Sequence, residues 1–281
     1  MNDAVSSRDR AALKFCLLLF VGLLLLIFFV LPGVYFIRSV RHHDVKVKQK
    51  AQFHSFEAAL ELFPDEFGRS PPSDANDETG LPYCGAMKLA EAMMGQDLAG
   101  FHRHSGFRLD GTDPNTGKLL YAAVTLEGRR GPFLPPESAR AYRLVDVYGK
   151  GKTGPFAEHV YVLCDCYEQE RPGGKETGMP VLYYRADPNG TTHDVNDPDN
   201  PKNIYDYRDN QALIDLGVPG EPGRVHPLAD PKRFYLNTLS HKSQEVPRPY
   251  CADRYILISA GRDGLYGTED DICNFDWKYR K

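Results

Sequence analysis

Three aspartates near the C-terminus have the spacing that most clearly indicates chemistry. Asp263, Asp270 and Asp271 lie within nine positions, and Gly264 and Gly267 between them allow the chain to curl. Hard divalent cations such as Ca²⁺ prefer several oxygen ligands at about 2.3–2.6 Å, and a glycine-containing loop can supply both carboxylates and backbone carbonyls. The same residues fit an acidic β-turn without a metal, because Asp-Gly is a common turn dipeptide. The spacing alone leaves both interpretations open.

No constellation of residues typical of catalysis accompanies this loop. His102 and His104 straddle Arg103, a spacing that can bind a metal but is also typical of two solvated histidines. The segment Gly149–Gly154 lacks the Gly-x-x-x-x-Gly-Lys-Ser/Thr spacing of a phosphate-binding loop. The serines lack a Gly-x-Ser-x-Gly elbow. The sequence therefore predicts that the protein is not an enzyme.

Two cysteines are a further candidate for metal or redox chemistry. Cys164 and Cys166 flank Asp165 in a predicted strand, where alternation places both thiols on one face. The chain contains no Cys-x-x-Cys pair, so neither a zinc ribbon nor a thioredoxin motif is indicated. The pattern favours two half-buried cysteines of a hydrophobic core over a functional pair.

Helices and strands must position these residues. Phe53, Phe56, Leu60 and Phe63 recur at the spacing of one helix face, and Pro64 follows them. We call these four residues the helix stripe and expect it to be buried against a sheet. A second helix is predicted at Ala86–Met94, and residues 186–210 resemble a long surface loop. The predicted strands are Leu119–Leu126, Arg143–Val147, His159–Leu163, Val181–Tyr184 and Tyr255–Ser259.

An uncharged segment precedes the helix stripe. Phe15 to Ile37 contains no charged residue, and at about 1.5 Å per residue a helix of this length exceeds a hydrocarbon core of about 30 Å. The sequence thus predicts a tail at residues 1–13 and a transmembrane helix at residues 14–37, with lipid contact through residues 15–37. A cleaved signal peptide is the alternative, but no small-residue cleavage site follows the segment. Basic residues after the span would favour a cytoplasmic C-terminal domain.

Two stretches resemble the major pseudopilin of type II secretion systems, within the type IV pilin superfamily. Phe56–Phe63 and Glu66–Pro72, read as FEAALELF and EFGRSPP, are similar to the end of the long pilin helix and the turn after it. Tyr255–Gly264, read as YILISAGRDG and continued by Leu265–Asp276, is similar to the family's C-terminal calcium loop. The apolar segment before them and their order along the chain also match.

The resemblance implies a calcium ion in the C-terminal loop. Asp263 and Asp271 occupy the Asp-Gly and Asp-Ile positions of the family pattern and are the expected side-chain ligands. Asp270 is an alternate ligand, and carbonyls near Ser259 and Leu265 would add to the set.

The chain departs from the family at its N-terminus and in its middle. Lys14 stands where the processing glycine is expected and Leu19 where the helix glutamate is expected, so the mature chain should keep residues 2–14. The middle region, residues 83–249, is far longer than the corresponding part of an ordinary pseudopilin. An unprocessed relative is therefore favoured over a standard filament subunit.

Together these observations predict an α+β fold, in which a long N-terminal helix, membrane-spanning in its first half, packs on an antiparallel β-sheet with long loops. Residues 38–281 would form one soluble domain. The resemblance implies a pseudopilin-like structural component of a secretion or pilus-like envelope assembly at the inner membrane, with the soluble domain outside the cytoplasm. The alternative is a membrane-tethered binding module on a pilin-like scaffold.

The expected partners follow from the same resemblance and from the charge of the chain. Other pilin-like subunits or secretion-system components are the expected protein partners. The formal net charge of −4 gives no support to a nucleic-acid partner, which would require a basic surface.

Overall fold

The structure is a computed structural model that describes residues 14–22, 26, 31–240 and 247–275, without the side chains of residues 31–42. The chain divides into two compact units, Met1–Val47 and Lys48–Lys281. The second unit contains the sheets, the core and the sites described below.

Helices cover much of the first part of the chain and separate the later strands. Residues 14–22 are helical, and helix α1 spans Leu31–Phe67. The other α-helices of the described residues are α2 (Gly85–Met94), α3 (Pro136–Ala139), α4 (Leu144–Tyr148), α5 (Arg208–Ile214) and α6 (Pro231–Thr238). Two 3₁₀ helices lie at Ala123–Gly128 and Pro227–Ala229.

Short antiparallel strands form four separate sheets in the described residues, where the sequence predicts one. Three are two-stranded: β1 (Phe101–His102) with β2 (Arg129–Arg130), β3 (Ala141–Arg143) with β4 (Tyr161–Leu163), and β5 (Gln169–Glu170) with β6 (Glu176–Thr177). The fourth has the order β7 (Leu182–Arg185), β8 (Tyr255–Ser259), β9 (Ile272–Cys273). Its register places Leu182 opposite Ile258 and Ser259 opposite Ile272.

The predicted burial of the helix stripe is confirmed. All four of its side chains are at most 3% exposed. The ring of Phe63 lies 4.6 Å from that of Phe67, 4.9 Å from Phe101, 6.4 Å from Phe107 and 6.0 Å from Phe133, measured between centroids. We call these five rings the Phe63 cluster. It fixes the end of α1 in the core through apolar contacts alone.

Two buried glutamines anchor the part of α1 that belongs to the second unit, which begins at Lys48. Gln52 Nε2 donates to the carbonyl oxygens of Ser138 and Cys164, each at 2.9 Å. Gln49 Oε1 accepts from the backbone N–H of Cys166 at 2.7 Å. A buried polar group without a partner costs free energy. These hydrogen bonds therefore help the helix stripe to determine which face of α1 is turned toward the core.

The predicted membrane-spanning first half of the helix is wrong. Within the described ranges, no helix is both long and apolar enough to cross a membrane. Helix α1 carries charged residues from Arg38 onward. Residues 23–25 and 27–30 of the predicted span lie outside the described residues.

Two predicted strands are also wrong. Leu119 forms an isolated β-bridge with Thr112, residues 120–122 form bends, and residues 123–126 belong to a 3₁₀ helix. Leu119, Val124 and Leu126 are 54%, 92% and 51% exposed. Residues 143–147 leave β3 and continue as α4, because the carboxylate of Asp146 accepts from the backbone N–H of Arg143 and so caps the helix. Strands at residues 161–163, 182–185 and 255–259 confirm the other three predictions within two residues.

Candidate functional site

The C-terminal acidic loop, residues 260–271, connects β8 to β9. Gly261, Gly264 and Gly267 have φ angles of 64°, 69° and 93°, which side chains other than glycine rarely adopt. A Cβ at Gly261 would lie 2.3 Å from the carbonyl oxygen of Asp270, and one at Gly267 would lie 2.7 Å from the nitrogen of Leu228. Glycine is therefore required at these positions for the loop to close.

Asp270 holds the loop together from within. Its Oδ2 accepts from the backbone N–H groups of Arg262 at 2.7 Å and Asp263 at 3.0 Å. Its Oδ1 accepts from the Thr268 hydroxyl at 2.6 Å. Asp263 Oδ1 accepts from the backbone N–H of Leu265 at 2.8 Å. Partial desolvation raises the pKa of Asp263, and the adjacent charge of Asp270 raises it further because like charges repel.

Asp271 differs from the other two aspartates because its side chain is buried, at 5% exposure. Its Oδ2 accepts from the backbone N–H of Gly267 at 2.7 Å. Its Oδ1 is buried and has no hydrogen-bond partner among the described residues. Burial raises the pKa of Asp271 well above its usual range, and the charges of Asp270 and Asp263 add to this. A buried carboxylate with a free oxygen is stable only when it is protonated or neutralised by a cation.

The predicted ligand set is partly brought together. Asp263, Asp270 and Asp271 share the loop, and the Thr268 hydroxyl that donates to Asp270 lies 3.3 Å from the carbonyl oxygen of Leu265. In the part of the chain that the structure describes, no group of three or more His, Cys, Asp or Glu side chains is arranged to hold a metal ion. A calcium ion would therefore need backbone carbonyls as well as carboxylates, and it would give Asp271 Oδ1 the partner that it lacks.

Ser259 contacts a buried carboxylate that the sequence reasoning did not identify. The Ser259 hydroxyl accepts from the N–H of Gly261 at 3.1 Å and donates to Asp165 Oδ2 at 2.8 Å. Asp165 Oδ1 accepts from the N–H groups of Tyr167 and Met179, each at 3.1 Å. Burial raises the pKa of Asp165 to about 7, against the opposing effect of these hydrogen bonds. Asp165 thus ties the loop to the segment after β4.

Arg171 is a second buried charge beside the loop that the sequence did not reveal. Its side chain belongs to a residue that is 5% exposed, and a Cβ added to Gly264 would lie 3.9 Å from its Nη2. Nε donates to the carbonyl of Thr177 at 3.2 Å, whereas Nη2 has no partner among the described residues. Its positive charge favours the ionised form of Asp165. The sequence does not indicate that Asp165 and Arg171 are buried, because residues distant along the chain bury them.

The cysteines are free thiols. Cys164 is buried and Cys166 is half-buried, with Cys166 Sγ 3.7 Å from Gln52 Oε1. Burial raises the pKa of Cys166 to about 11, so its thiol is protonated near neutral pH and is a poor nucleophile. This environment favours the core interpretation of the pair.

The two histidines are not both solvated. His102 is 8% exposed, and its Nδ1 accepts from the backbone N–H of His104 at 3.2 Å. Burial lowers the pKa of His102, and the described residues place no group of three or more possible metal ligands around the pair.

Asp270 closes the loop, Asp271 offers a free buried oxygen, and Asp165 supports the loop from the core. Comparison of the chain with protein-family models, with curated proteins and with solved structures found no match.

Proposed function

We propose that the protein is a pseudopilin-like structural component of a secretion or pilus-like envelope assembly, with a calcium ion in its C-terminal acidic loop. One observation carries the proposal: the buried, unpartnered Oδ1 of Asp271 lies in the loop whose sequence resembles the family's calcium loop. The order of elements supports it, because a helix with a buried aromatic stripe comes first and β8, the loop and β9 come last.

The outward face of α1 supports a role in lateral packing. Ala51, His54, Ala58 and Leu62 are exposed on this face, opposite the helix stripe. Two of the four are alanines, and small side chains allow helices to approach closely. A neighbouring helix could therefore pack here without disturbing the core of the second unit.

Substitution on this face tests the assembly role. Ala58→Arg should change the free energy of unfolding by less than about 0.5 kcal/mol, because the site is exposed. It should nevertheless abolish cross-linking of the chain to pilin-like subunits in its native cells, because a long charged side chain would block the approach of a second helix. Glu127→Arg, at an exposed site outside α1, is the matched control. Equal cross-linking of Ala58→Arg and wild type would contradict the assembly role.

Calcium should stabilise the fold through the acidic loop. At a free Ca²⁺ concentration about 100 times the dissociation constant, a ligand specific for the folded state adds about 2.7 kcal/mol to stability. The chain should therefore melt at a higher temperature in calcium than in chelator. Asp271→Asn should remove this difference, because asparagine keeps an oxygen for the N–H of Gly267 but has no charge. Asp253→Asn, exposed and outside the loop, should retain it.

Calorimetry gives an independent readout of the same site. Because burial raises the pKa of Asp271 well above its usual range, we expect Ca²⁺ binding to displace a proton from this carboxyl group. The heat of binding should consequently differ between buffers of low and high ionisation enthalpy. Identical melts with and without calcium, together with no binding heat, would leave the loop as a metal-free acidic turn.

A second candidate function, a binding module on a pilin-like scaffold, is favoured by one observation. A cavity of about 350 Å³ opens in the second unit, and most of its wall belongs to the long middle region.

A further inference from the structure

The cavity has a polar wall with a few flat apolar surfaces. Residues 72–74, 185–188 and 198–209 provide most of the wall, and Tyr235 closes one side. The hydroxyl of Tyr235 donates to the carbonyls of Tyr205 at 2.8 Å and Pro198 at 3.1 Å, which holds two parts of the wall together. The cavity is therefore built by specific contacts between segments that are distant in sequence.

The charged residues of the wall leave an excess of negative charge. Four aspartates and two arginines line the cavity. Arg208 is fully engaged, because its Nε and Nη2 donate to the two carboxylate oxygens of Asp206 at 2.8 and 2.7 Å. The remaining charged residues are three carboxylates and one guanidinium: Asp74, Asp187, Asp209 and Arg185.

Asp209 is the buried member of this group. It is more than nine-tenths buried, at 8% exposure, and yet it lines the cavity. Its side-chain partner is the Ser73 hydroxyl, which donates to Oδ2 at 2.5 Å. Lys88, outside the wall, is 3.7 Å from Asp74, and Arg208 pairs with Asp206. Arg185, the other cation of the wall, forms no ion pair with Asp209 in the described residues. In the described ranges, Asp209 has no ion-pair partner of its own.

A buried carboxylate of this kind requires either a proton or a cation. Burial raises the pKa of Asp209 to about 7, and the charges of Asp206 and Asp74 act in the same direction, against the Ser73 hydrogen bond and Lys88. A cation in the cavity would replace the proton and recover the cost of desolvation.

The wall fits an organic cation better than a metal ion. An alkylammonium group carries three N–H donors, and its methylene chain packs against apolar surfaces. The exposed and half-exposed prolines of the wall provide such surfaces in the same cavity as Asp209, whereas Tyr205 and Tyr235 are fully buried behind it. No metal-type cluster of acidic, histidine or cysteine side chains occurs among the residues that the structure describes.

We propose that this cavity binds an alkylammonium group, carried by a lysine side chain or by a free diamine, with Asp209 as its anchor. The proposal rests on the second candidate function and names its ligand class. It involves no residue of the acidic loop and none of the outward face of α1, so its failure and the failure of the assembly role are separately observable.

Titration of the full chain with defined amines, followed by NMR, tests the proposal. Addition of 1,5-diaminopentane or of Nα-acetyl-lysine methylamide should shift the resonances of Ser73, Asp209 and Tyr235. The neutral Nα-acetyl-norleucine methylamide should not. Asp209→Asn should weaken binding by about tenfold or more, as expected when a charged hydrogen-bond partner is lost. Asp65→Asn, exposed on α1, should bind as wild type does.

Two further measurements distinguish loss of binding at Asp209 from misfolding of the variant and from nonspecific electrostatic attraction. Asp187→Asn alters an exposed carboxylate of the wall and should weaken binding by a smaller factor without affecting the fold. Binding to wild type should strengthen as pH rises through about 7, where Asp209 ionises, and binding to Asp209→Asn should not.

The outcomes separate the sources of the ligand. Binding of the diamine alone indicates a small free amine, and binding of the lysine derivative as well indicates a side chain of a protein partner. Equal binding of the norleucine derivative, binding of Asp209→Asn with unchanged affinity, or binding of neither amine would overturn the proposal.

Discussion

Phe63→Ala should lower the free energy of unfolding by about 3–5 kcal/mol, the cost of truncating a fully buried phenylalanine in a close-packed core. Phe63 is 0% exposed, and the other four rings of the Phe63 cluster surround it. Removal of the ring loses its transfer free energy and leaves a cavity that four rigid neighbours cannot readily fill. Aromatic pairs at these distances add to the loss beyond buried area alone.

The adjacent residue provides the control. Leu62 lies on the same turn of α1 but is 56% exposed, so Leu62→Ala should cost about 0.5 kcal/mol or less. Both substitutions replace a large apolar residue by alanine and leave helix propensity nearly unchanged. Urea denaturation of the full chain measures both values. A small loss for Phe63→Ala would mean that the core can collapse around the missing ring, and equal losses would mean that burial does not determine the difference.

Features that depend on local periodicity could be predicted from the sequence. The helix stripe is one, because its spacing of three and four residues reports which face of a helix is apolar. Strand β8 is another, because five β-forming residues are bounded by turn-forming ones. In both cases residues close together in sequence are sufficient to indicate the secondary structure and its buried face.

Local composition gave a wrong prediction where apolar residues are exposed in the structure. Leu119, Val124 and Leu126 have the composition of a strand, but among the described residues the segment pairs only through a single bridge from Leu119 to Thr112, and residues 123–126 belong to a 3₁₀ helix instead. The uncharged run from Phe15 to Ile37 also predicted a membrane-spanning helix, and no helix of the described residues is long and apolar enough for that.

Long-range polar contacts had no signal in the sequence. Gln52 and Cys164 are 112 positions apart, and Ser73 and Asp209 are 136 apart. Gln, Ser and Asp are common on protein surfaces, and the acceptor at Cys164 is a backbone carbonyl, so only the tertiary structure shows these contacts. The acidic loop lies between these extremes: its glycines and aspartates were recognisable, whereas the burial of Asp271 and the support from Asp165 were not.

Asp165 should make stability fall as pH rises. Its pKa is raised from 3.8 to about 7 in the folded state, so the folded protein holds this proton more tightly than the unfolded chain does. The resulting stabilisation is fully present below pH 3.8 and is lost as pH rises through about 7. A shift of one pKa unit corresponds to about 1.4 kcal/mol, so the contribution lost across this range is on the order of 4 kcal/mol.

Asp165→Asn isolates this contribution. The asparagine resembles the protonated acid, because its oxygen can accept from the N–H groups of Tyr167 and Met179 while its amide donates to Ser259. As pH rises, Asp165→Asn should therefore not show the decrease in the free energy of unfolding that Asp165 causes in the wild type. Other buried titratable groups, such as Asp209 and His193, cancel when the two proteins are compared at each pH.

Urea denaturation of both proteins from about pH 4 to about pH 8 provides the measurement. The stability of Asp165→Asn relative to wild type should increase steadily with pH and level off above about pH 7, where Asp165 is ionised in both states of the wild type. Asp253→Asn, an exposed substitution of the same kind, should show no such trend. A constant difference across the range would mean that the three hydrogen bonds and the charge of Arg171 compensate burial, and that Asp165 is ionised in the core at every pH where the protein is folded.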